Sequence, residues 1–203
     1  MGLTALVMAG GRATRLISDV EKPLIEINGT TILQRVLNAL ANSKRVERIV
    51  VAVSARSVQT TRTLRELGVE IIMTPGVGYE EDMKAAIKQQ HLGDVLVVSA
   101  DLPFLTSTLV DQAIESYRAG GKPALSVMCP LTTLERLGVQ PSHVFTIDGR
   151  RLVPAGVNIL NGARIDEPTL DETMLISDSV KLAVNVNTPR DIEIAREIAK
   201  NES

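Results

Sequence analysis

Cysteine, tryptophan and aromatic residues in general are scarce in this sequence of 203 residues. It contains one cysteine and no tryptophan, and only 2% of its residues are aromatic. A lone cysteine cannot form an internal disulfide, and no metal-ligand spacing surrounds Cys129, so we expect a small apolar residue of a buried strand. So few aromatic side chains also argue against a stacking platform for single-stranded nucleic acid.

The sequence also lacks a strong charge and long apolar runs. The net charge is −2 and no basic stripe is present, so nucleic acid is not an expected partner. No run reaches the roughly 20 apolar residues of a membrane span, and the N-terminus does not resemble a signal peptide. With 44% hydrophobic residues, we expect one domain over residues 1–203, located in the cytoplasm and without a membrane span.

Short β-branched runs alternate with helical patterns over the first 130 residues. The runs predict strands at 4–8, 48–53, 70–73, 94–99 and 124–129, and helices at 31–41, 58–67, 79–90 and 106–119. Further on, the pattern predicts a hairpin of 144–147 with 151–153, strands at 155–160 and 184–187, and a last helix capped by Thr188. This alternation indicates an α/β protein with a three-layer α/β/α Rossmann-like fold and a mostly parallel mixed sheet.

The first strand ends in a glycine loop rich in cations and hydroxyl groups. The candidate nucleotide-binding residues of this segment are Ala9, Gly10, Gly11, Arg12, Thr14, Arg15 and Lys22. A P-loop would place its lysine directly after a glycine, and a dinucleotide fingerprint would need a third glycine, so neither pattern fits. Glycines that expose backbone N–H groups, surrounded by cations, suit a triphosphate, although a basic surface turn is the alternative.

A second candidate lies at the end of the predicted strand 94–99. Asp101 follows this apolar run, so its carboxylate is expected at the sheet edge beside the glycine loop. There it could hold Mg²⁺, which usually takes one or two carboxylates together with phosphate oxygens and water. The alternative is a turn-forming aspartate before Pro103.

The segments AGGRATR and EKPL resemble the signature of the nucleotidyltransferases with a glycosyltransferase-A-like fold. The resemblance implies that Asp101 is a metal ligand and that a late strand supplies an Asn or Asp to the same metal. Asn185 and Asn187 are the candidates on that strand, and Asn185 is preferred because Asn187 could instead shape the following turn. The resemblance also implies catalytic roles for Arg15, Lys22 and Asp101.

Three further segments, GVGYEED, SADLPFLTS and LVPAGVNIL, closely resemble the adenosylcobinamide-phosphate guanylyltransferases. This resemblance implies GTP and a corrinoid phosphate as substrates, Mg²⁺ as cofactor, and transfer of GMP with release of pyrophosphate. A homodimer is compatible with it. Other acceptors, such as molybdopterin or a sugar phosphate, and a GTP-binding protein without turnover are the alternatives.

The same resemblance implies nucleotide contacts in the second half of the site. Gly76 and Gly78 would let a loop lie flat against base and ribose, and Asp82 could accept hydrogen bonds from guanine. An acidic residue favoured by the helix dipole is an equal alternative for Asp82. Gly156 would leave room for the ligand, with a β-bulge glycine as the alternative.

Overall fold

A computed structural model describes residues 2–11 and 20–201 of the protein. In chain order the strands are β1 (Leu3–Met8), β2 (Glu26–Ile27), β3 (Thr30–Thr31), β4 (Val46–Ser54), β5 (Glu70–Thr74), β6 (Asp94–Ser99), β7 (Ala124–Pro130), β8 (Phe145–Ile147), β9 (Arg150–Asn161) and β10 (Glu172–Ile176). The α-helices are α1 (Ile32–Ala41), α2 (Val58–Glu66), α3 (Tyr79–Gln89), α4 (Ser107–Gly120), α5 (Leu131–Leu137), α6 (Val180–Ala183) and α7 (Pro189–Asn201). Two 3₁₀ helices cover Lys22–Leu24 and Gly162–Arg164.

Within the described residues, eight strands form one mixed sheet. Their order is β10-β7-β9-β6-β1-β4-β5, with β8 paired to β9, while β2 and β3 form a separate ribbon. The pairs on either side of β1 are parallel, and β9 runs antiparallel to each of its three partners. The prediction of a mostly parallel mixed sheet is therefore confirmed.

Helices cover both faces of this sheet, because the side chains of the central strands alternate between two apolar cores. Ala5 and Val7 of β1 belong to a large core that includes residues of α1, α2, α4 and α7. Leu6 and Met8 point to the opposite face and join a smaller core with residues of α3. This alternation with a period of two produces the three layers that the apolar runs predicted.

The second half of the chain differs from the prediction, which did not include α5, β10 or α6 and which also placed two strand segments wrongly. The hairpin strand 151–153 and the strand 155–160 form one continuous strand, β9, instead of two. Residues 184–187 are extended but lie outside the sheet, with Val184 and Val186 fully buried in the core. Burial of two alternate valines produces the period of a strand without any strand pairing, which explains the wrong prediction.

The start of α7 is capped as its sequence predicts. Thr188 Oγ1 accepts a hydrogen bond from the Asp191 amide at 3.2 Å, and Asp191 Oδ2 accepts from the amides of Thr188 and Asn187 at 2.8 and 2.9 Å. This reciprocal cap satisfies N–H groups that a helix start leaves without partners. It also fixes the backbone of Asn187, which belongs to the candidate site.

Across residues 2–11 and 20–201, none of the helices has the length and apolar character needed to cross a bilayer.

Candidate active site

A cavity of about 460 Å³ opens at the carboxyl ends of β1 and β6. Its walls are Met8, Ala9, Gly10, Gly11, Lys22, Pro23, Thr74, Gly76, Val77, Gly78, Tyr79, Asp82, Ser99, Ala100 and Asp101. Both the glycine loop and the loop before α3 contribute, as expected for the carboxyl edge of a parallel sheet. The cavity therefore brings together most of the site residues predicted from the sequence, within the part of the chain that is described.

The polar centre of this cavity is a contact between Lys22 and two distant residues. Lys22 Nζ lies 2.7 Å from Asp101 Oδ2 and 2.7 Å from Asn187 Oδ1. The Lys22 and Asp101 side chains are only 19% and 13% exposed, so water screens this ion pair less than a surface pair. The ammonium group keeps a third N–H donor position that can point toward a ligand.

Backbone contacts fix the Asp101 end of this arrangement. The Ala100 amide donates to the Met8 carbonyl at 3.2 Å, and the Val186 amide donates to the Asp101 carbonyl at 3.0 Å. The first bond extends the pairing of β6 with β1 past Ser99, and the second attaches the extended segment before α7. Asp101 is consequently held between the end of β1 and the segment that supplies Asn187.

The two carboxylate oxygens of Asp101 differ in their partners, and this difference decides which metal the site can hold. Asp101 Oδ1 is buried and has no hydrogen-bond partner within residues 2–11 and 20–201, whereas Oδ2 is bound to Lys22. No group of three His, Cys, Asp or Glu side chains suited to a metal occurs in these ranges. One orphaned carboxylate oxygen fits Mg²⁺, which takes its other ligands from phosphates and water, and does not fit a metal that needs a full protein cage.

The structure brings Asn187, rather than the preferred Asn185, to Lys22 and Asp101. Asn185 lies toward Gly156, since a Cβ on that glycine would be 3.4 Å from Asn185 Nδ2. Both asparagines lie on the extended segment before α7, but of the two it is Asn187 that reaches the ammonium group. The capped start of α7 fixes the position of Asn187, and residue spacing in the sequence does not reveal this.

The glycine loop begins with close packing against β4. A Cβ on Gly10 would lie 3.0 Å from the Ser54 backbone nitrogen, so a side chain there would force the backbones apart. No described atom lies within 4 Å of a Cβ built on Gly11, which is exposed at the cavity. The first glycine therefore serves packing, and the second leaves space beside the cavity. The predicted residues Arg12, Thr14 and Arg15 lie outside the described residues.

The loop before α3 is held by Asp82. The Asp82 carboxylate is buried, and its Oδ1 accepts hydrogen bonds from the Gly76 amide at 2.7 Å and the Val77 amide at 3.4 Å. Gly76 has φ +72°, a conformation that favours glycine, and its carbonyl accepts from Arg56 Nη1 at 3.0 Å. Asp82 thus shapes the cavity wall directly, which is a role that the sequence analysis did not assign to it.

Tyr79 is a cavity residue that the sequence analysis missed. About half of the Tyr79 surface is exposed, and the residue lines the cavity together with Asp101. Burial of the hydroxyl and the nearby negative charge of Asp101 raise the pKa of the phenol well above its usual range. Tyr79 therefore remains a proton donor at neutral pH. The sequence does contain a signal for this residue. Tyr79 is one of only two tyrosines in the chain, and it directly follows a glycine loop.

Gly156, for which the sequence predicted a nucleotide contact, is not among the residues that line the main cavity. It has φ +75°, and a Cβ at this position would be 3.1 Å from the Ser99 Cβ. The register of β9 on β7 is irregular here, because Ser126 pairs with Asn158 whereas Met128 pairs with Pro154. Gly156 is thus the glycine of a β-bulge, which was the alternative interpretation.

A second, smaller cavity of about 120 Å³ lies on the far side of Asn187. It is lined by Cys129, Leu134, Val139, Gln140, Pro141, Ser142, His143, Val153, Pro154, Leu182, Ala183, Asn185 and Asn187. No lysine, arginine, aspartate or glutamate is among these residues. Burial and, to a smaller extent, the charge of Asp178 raise the pKa of Cys129 to about 12, so its thiol is neutral. The lining therefore combines apolar side chains with polar groups, including His143 and, near the Lys22 contact, the amides of Asn185 and Asn187.

Substitutions of Asp82 should separate loop support from recognition of guanine. We expect Asp82→Ala to weaken binding of GTP and ATP alike, since a hydrogen bond to a charged group contributes about 1.5–3 kcal/mol. Asp82→Asn keeps an acceptor oxygen for the Gly76 amide, so its affinities should stay within about threefold of wild type. Titration calorimetry with both nucleotides measures this. A selective loss of GTP affinity in the Asn variant would contradict the loop role and indicate base recognition.

Comparison with known proteins agrees with this geometry. The family described as MobA-like NTP transferase domain matches residues 5–155. An adenosylcobinamide-phosphate guanylyltransferase of Methanocaldococcus jannaschii is 31% identical over 98% of this chain and 99% of its own length.

Solved structures show the same fold at lower identity. The molybdopterin-guanine dinucleotide biosynthesis protein A of Archaeoglobus fulgidus superposes with a TM-score of 0.70 at 17% identity, covering 98% of this chain and all of its own. A CMP:2-keto-3-deoxy-manno-octonic acid synthetase complexed with CTP gives 0.74 at 14% identity, covering 100% and 99%. The fold is therefore the Rossmann-like fold of nucleotidyltransferases. Because the family matches most of the chain, the protein belongs to the MobA-like NTP transferases and is a nucleotidyltransferase.

Proposed function

We propose that this nucleotidyltransferase transfers GMP from GTP to adenosylcobinamide phosphate and releases pyrophosphate. The observation that carries the proposal is the position of Lys22, Asp101 and Asn187 at the junction of the two cavities. The larger cavity has glycine loops and suits a nucleotide triphosphate. The smaller one suits the part of an acceptor next to its phosphate. The choice of acceptor is supported by the similarity to the Methanocaldococcus jannaschii enzyme along the whole chain.

In the proposed reaction, an oxygen of the acceptor phosphate attacks the α-phosphorus of GTP. The new O–P bond forms as the bond between the α-phosphorus and the bridging oxygen breaks, and its electron pair leaves with pyrophosphate. The acceptor phosphate is largely anionic at neutral pH, because the second pKa of phosphomonoesters is about 6. No strong base is needed, and catalysis consists of positioning and neutralising two anions.

Each group of the cavity receives a role in this proposal. Lys22 neutralises charge at the α-phosphate, and Asn187 orients the Lys22 ammonium from the acceptor side. Asp101 would hold Mg²⁺ through Oδ1, and the bound ion would supply Lewis-acid stabilisation of phosphate oxygens. The glycine-loop amides, together with Arg12 and Arg15, are proposed to hold the β- and γ-phosphates.

The second cavity, which no lysine, arginine, aspartate or glutamate lines, supports an acceptor with a carbon linker beside its phosphate. Its wall offers apolar side chains such as Leu134 and Leu182, together with the amides of Asn185 and Asn187. An acceptor with further negative charges near the phosphate would be desolvated there without a lysine or arginine in the lining to compensate. This argument favours a corrinoid phosphate with a neutral arm over a highly charged acceptor.

A screen of acceptors tests the proposed function. The protein would be mixed with GTP, Mg²⁺ and, in turn, adenosylcobinamide phosphate, molybdopterin or a sugar 1-phosphate, and pyrophosphate release would be followed. We expect rapid release with the corrinoid phosphate and background rates with the others. Release with molybdopterin alone would instead assign the function suggested by the Archaeoglobus fulgidus structure.

The proposed donor leads to a prediction for nucleotide selectivity. GTP should bind more tightly than ATP, because two of the relatives that span nearly the whole chain, the Methanocaldococcus jannaschii enzyme and the Archaeoglobus fulgidus protein, carry guanine in their names. Calorimetry with both nucleotides in Mg²⁺ measures the two dissociation constants. Equal affinities would contradict the proposed selectivity for GTP but would not contradict nucleotidyl transfer.

A further inference from the structure

Glu21, the residue directly before Lys22, contacts the start of a distant helix. We propose that Glu21 is a positioning residue. By binding the N-terminus of α2, Glu21 fixes the backbone at Lys22 and thereby the position of the lysine in the cavity. The inference rests on the proposed role of Lys22 in catalysis. It assigns a function to a residue that does not line the cavity.

The carboxylate of Glu21 caps α2 from 38 residues away in the sequence. Its Oε1 accepts from the Gln59 amide at 2.8 Å, and its Oε2 accepts from the Thr60 amide at 2.9 Å. In return, the Gln59 side-chain oxygen accepts from the Glu21 amide at 3.2 Å. Three hydrogen bonds therefore join one residue to the first turn of α2.

These bonds satisfy a helix start that has no local cap. Ser57, which precedes α2, makes no capping hydrogen bond with its side chain. The first amides of a helix lack partners inside the helix, and a negative charge near them is favourable. Glu21 meets both needs at once, because each carboxylate oxygen binds a different amide. The contact is thus specific in geometry as well as in charge.

The attachment reaches Lys22 through the short 3₁₀ helix that begins there. The Leu24 amide donates to the Glu21 carbonyl at 2.8 Å, and the Ile25 amide donates to the Lys22 carbonyl at 3.2 Å. Pro23 is buried between these residues and restricts the backbone further. The Lys22 backbone is thereby held at α2, while its ammonium group extends to Asp101 and Asn187 across the cavity.

Small displacements of a catalytic group are costly, because a shift of about 1 Å can reduce a rate by about 100-fold. Removing the Glu21 carboxylate frees the backbone of Lys22 without changing the lysine itself. The effect should therefore appear in the chemical step more than in binding of GTP. It should also vanish once the lysine is gone, which a purely structural role would not predict.

Steady-state kinetics of Glu21→Ala, Lys22→Ala and the double variant test this coupling. We expect Glu21→Ala to lower kcat at least about tenfold while KM for GTP changes less than about threefold. In the Lys22→Ala background, the same change should lower kcat less than about twofold. Glu21→Gln, which retains one acceptor oxygen, should recover part of the lost rate. An equal loss in both backgrounds would overturn the proposal.

Thr106→Ala is the matched control, because Thr106 Oγ1 caps α4 by accepting from the Leu109 amide. This variant loses a helix cap but should keep the wild-type kcat. Hydrogen exchange of the Leu24 and Ile25 amides provides a measurement that needs no acceptor. Exchange about tenfold faster in Glu21→Ala supports the attachment, and unchanged exchange overturns it. If the wild-type protein shows no turnover with the corrinoid phosphate, the proposed acceptor fails, and the exchange result still decides the attachment.

Discussion

Asp101→Asn should reduce Mg²⁺-dependent pyrophosphate release by about 100-fold or more while leaving the protein folded. The amide keeps the shape of the side chain and an acceptor oxygen for Lys22. It loses the negative charge at the orphaned oxygen Oδ1, and Mg²⁺ demands that charge from its few protein ligands. The Lys22 ammonium would also lose its ionic partner at 2.7 Å.

The measurement is pyrophosphate release at several Mg²⁺ concentrations, with circular dichroism to compare the folds. Asp94→Asn is the matched control, because Asp94 begins the same strand, β6, at the end away from the cavity. Its Oδ1 accepts from the Tyr117 hydroxyl at 2.9 Å, and an amide oxygen can do the same. If Asp101 only shaped a turn, its Asn variant would match this control, since both residues make similar backbone contacts.

Lys22→Ala should slow the chemical step by about 2.7–4 kcal/mol, or about 100- to 1,000-fold, with a smaller effect on GTP affinity. The reason is position, because the ammonium group lies in the larger cavity next to Asn187, where charge would develop on the α-phosphate in the proposed reaction. Binding of the nucleotide also uses the glycine loops and the walls around Tyr79, which the substitution leaves intact. Single-turnover rates and calorimetry measure the two effects separately.

Lys84→Ala is the control for this second prediction, since Lys84 forms an exposed ion pair with Glu80 at 2.8 Å on α3. Exposed pairs of this kind contribute little, so this variant should keep both rate and affinity. Wild-type single-turnover rates in Lys22→Ala would show that the lysine supports the structure only. A parallel loss of rate and GTP affinity would place it in binding of the ground state instead.

The meeting of the glycine loop with Asp101 could be predicted because it follows from strand order. Both segments leave the carboxyl ends of apolar runs, and β1 and β6 pair in parallel with Met8 opposite Ser99. The glycine loop and the Asp101 carboxylate therefore meet at one edge of the sheet whenever β1 and β6 are neighbouring parallel strands. The central sheet and its two covered faces follow from the same apolar runs.

The part of the site that comes from the C-terminal third of the sequence was predicted less accurately, because it depends on segments that are not paired regularly in the sheet. Asn187 reaches Lys22 since the cap of α7 and the bond from Val186 to Asp101 fix an extended segment. Residue spacing gives the shared side of Asn185 and Asn187 but not the distance of either from the ammonium group. Gly156 was placed with the nucleotide because a bulge glycine and a ligand-facing glycine look the same in sequence.

The loop before α3 illustrates a different limit. Asp82 lies in the first turn of a helix, where the dipole, a ligand or a loop amide could each explain an acidic residue. Only the contact of 2.7 Å from the Gly76 amide to Oδ1 reveals the loop role. Likewise, Glu21 shows no local signal, because its partners Gln59 and Thr60 follow another strand.

Transfer of an isotopic label tests the central claim most directly, since it follows the phosphorus atom that the proposed reaction transfers. The wild-type protein would be incubated with Mg²⁺, adenosylcobinamide phosphate and GTP labelled at either the α- or the γ-phosphorus. We predict that the α-label appears in adenosylcobinamide-GDP and that the γ-label appears only in pyrophosphate. A γ-label in the corrinoid product, or an α-label that stays in guanine nucleotides, would contradict guanylyl transfer at Lys22 and Asp101.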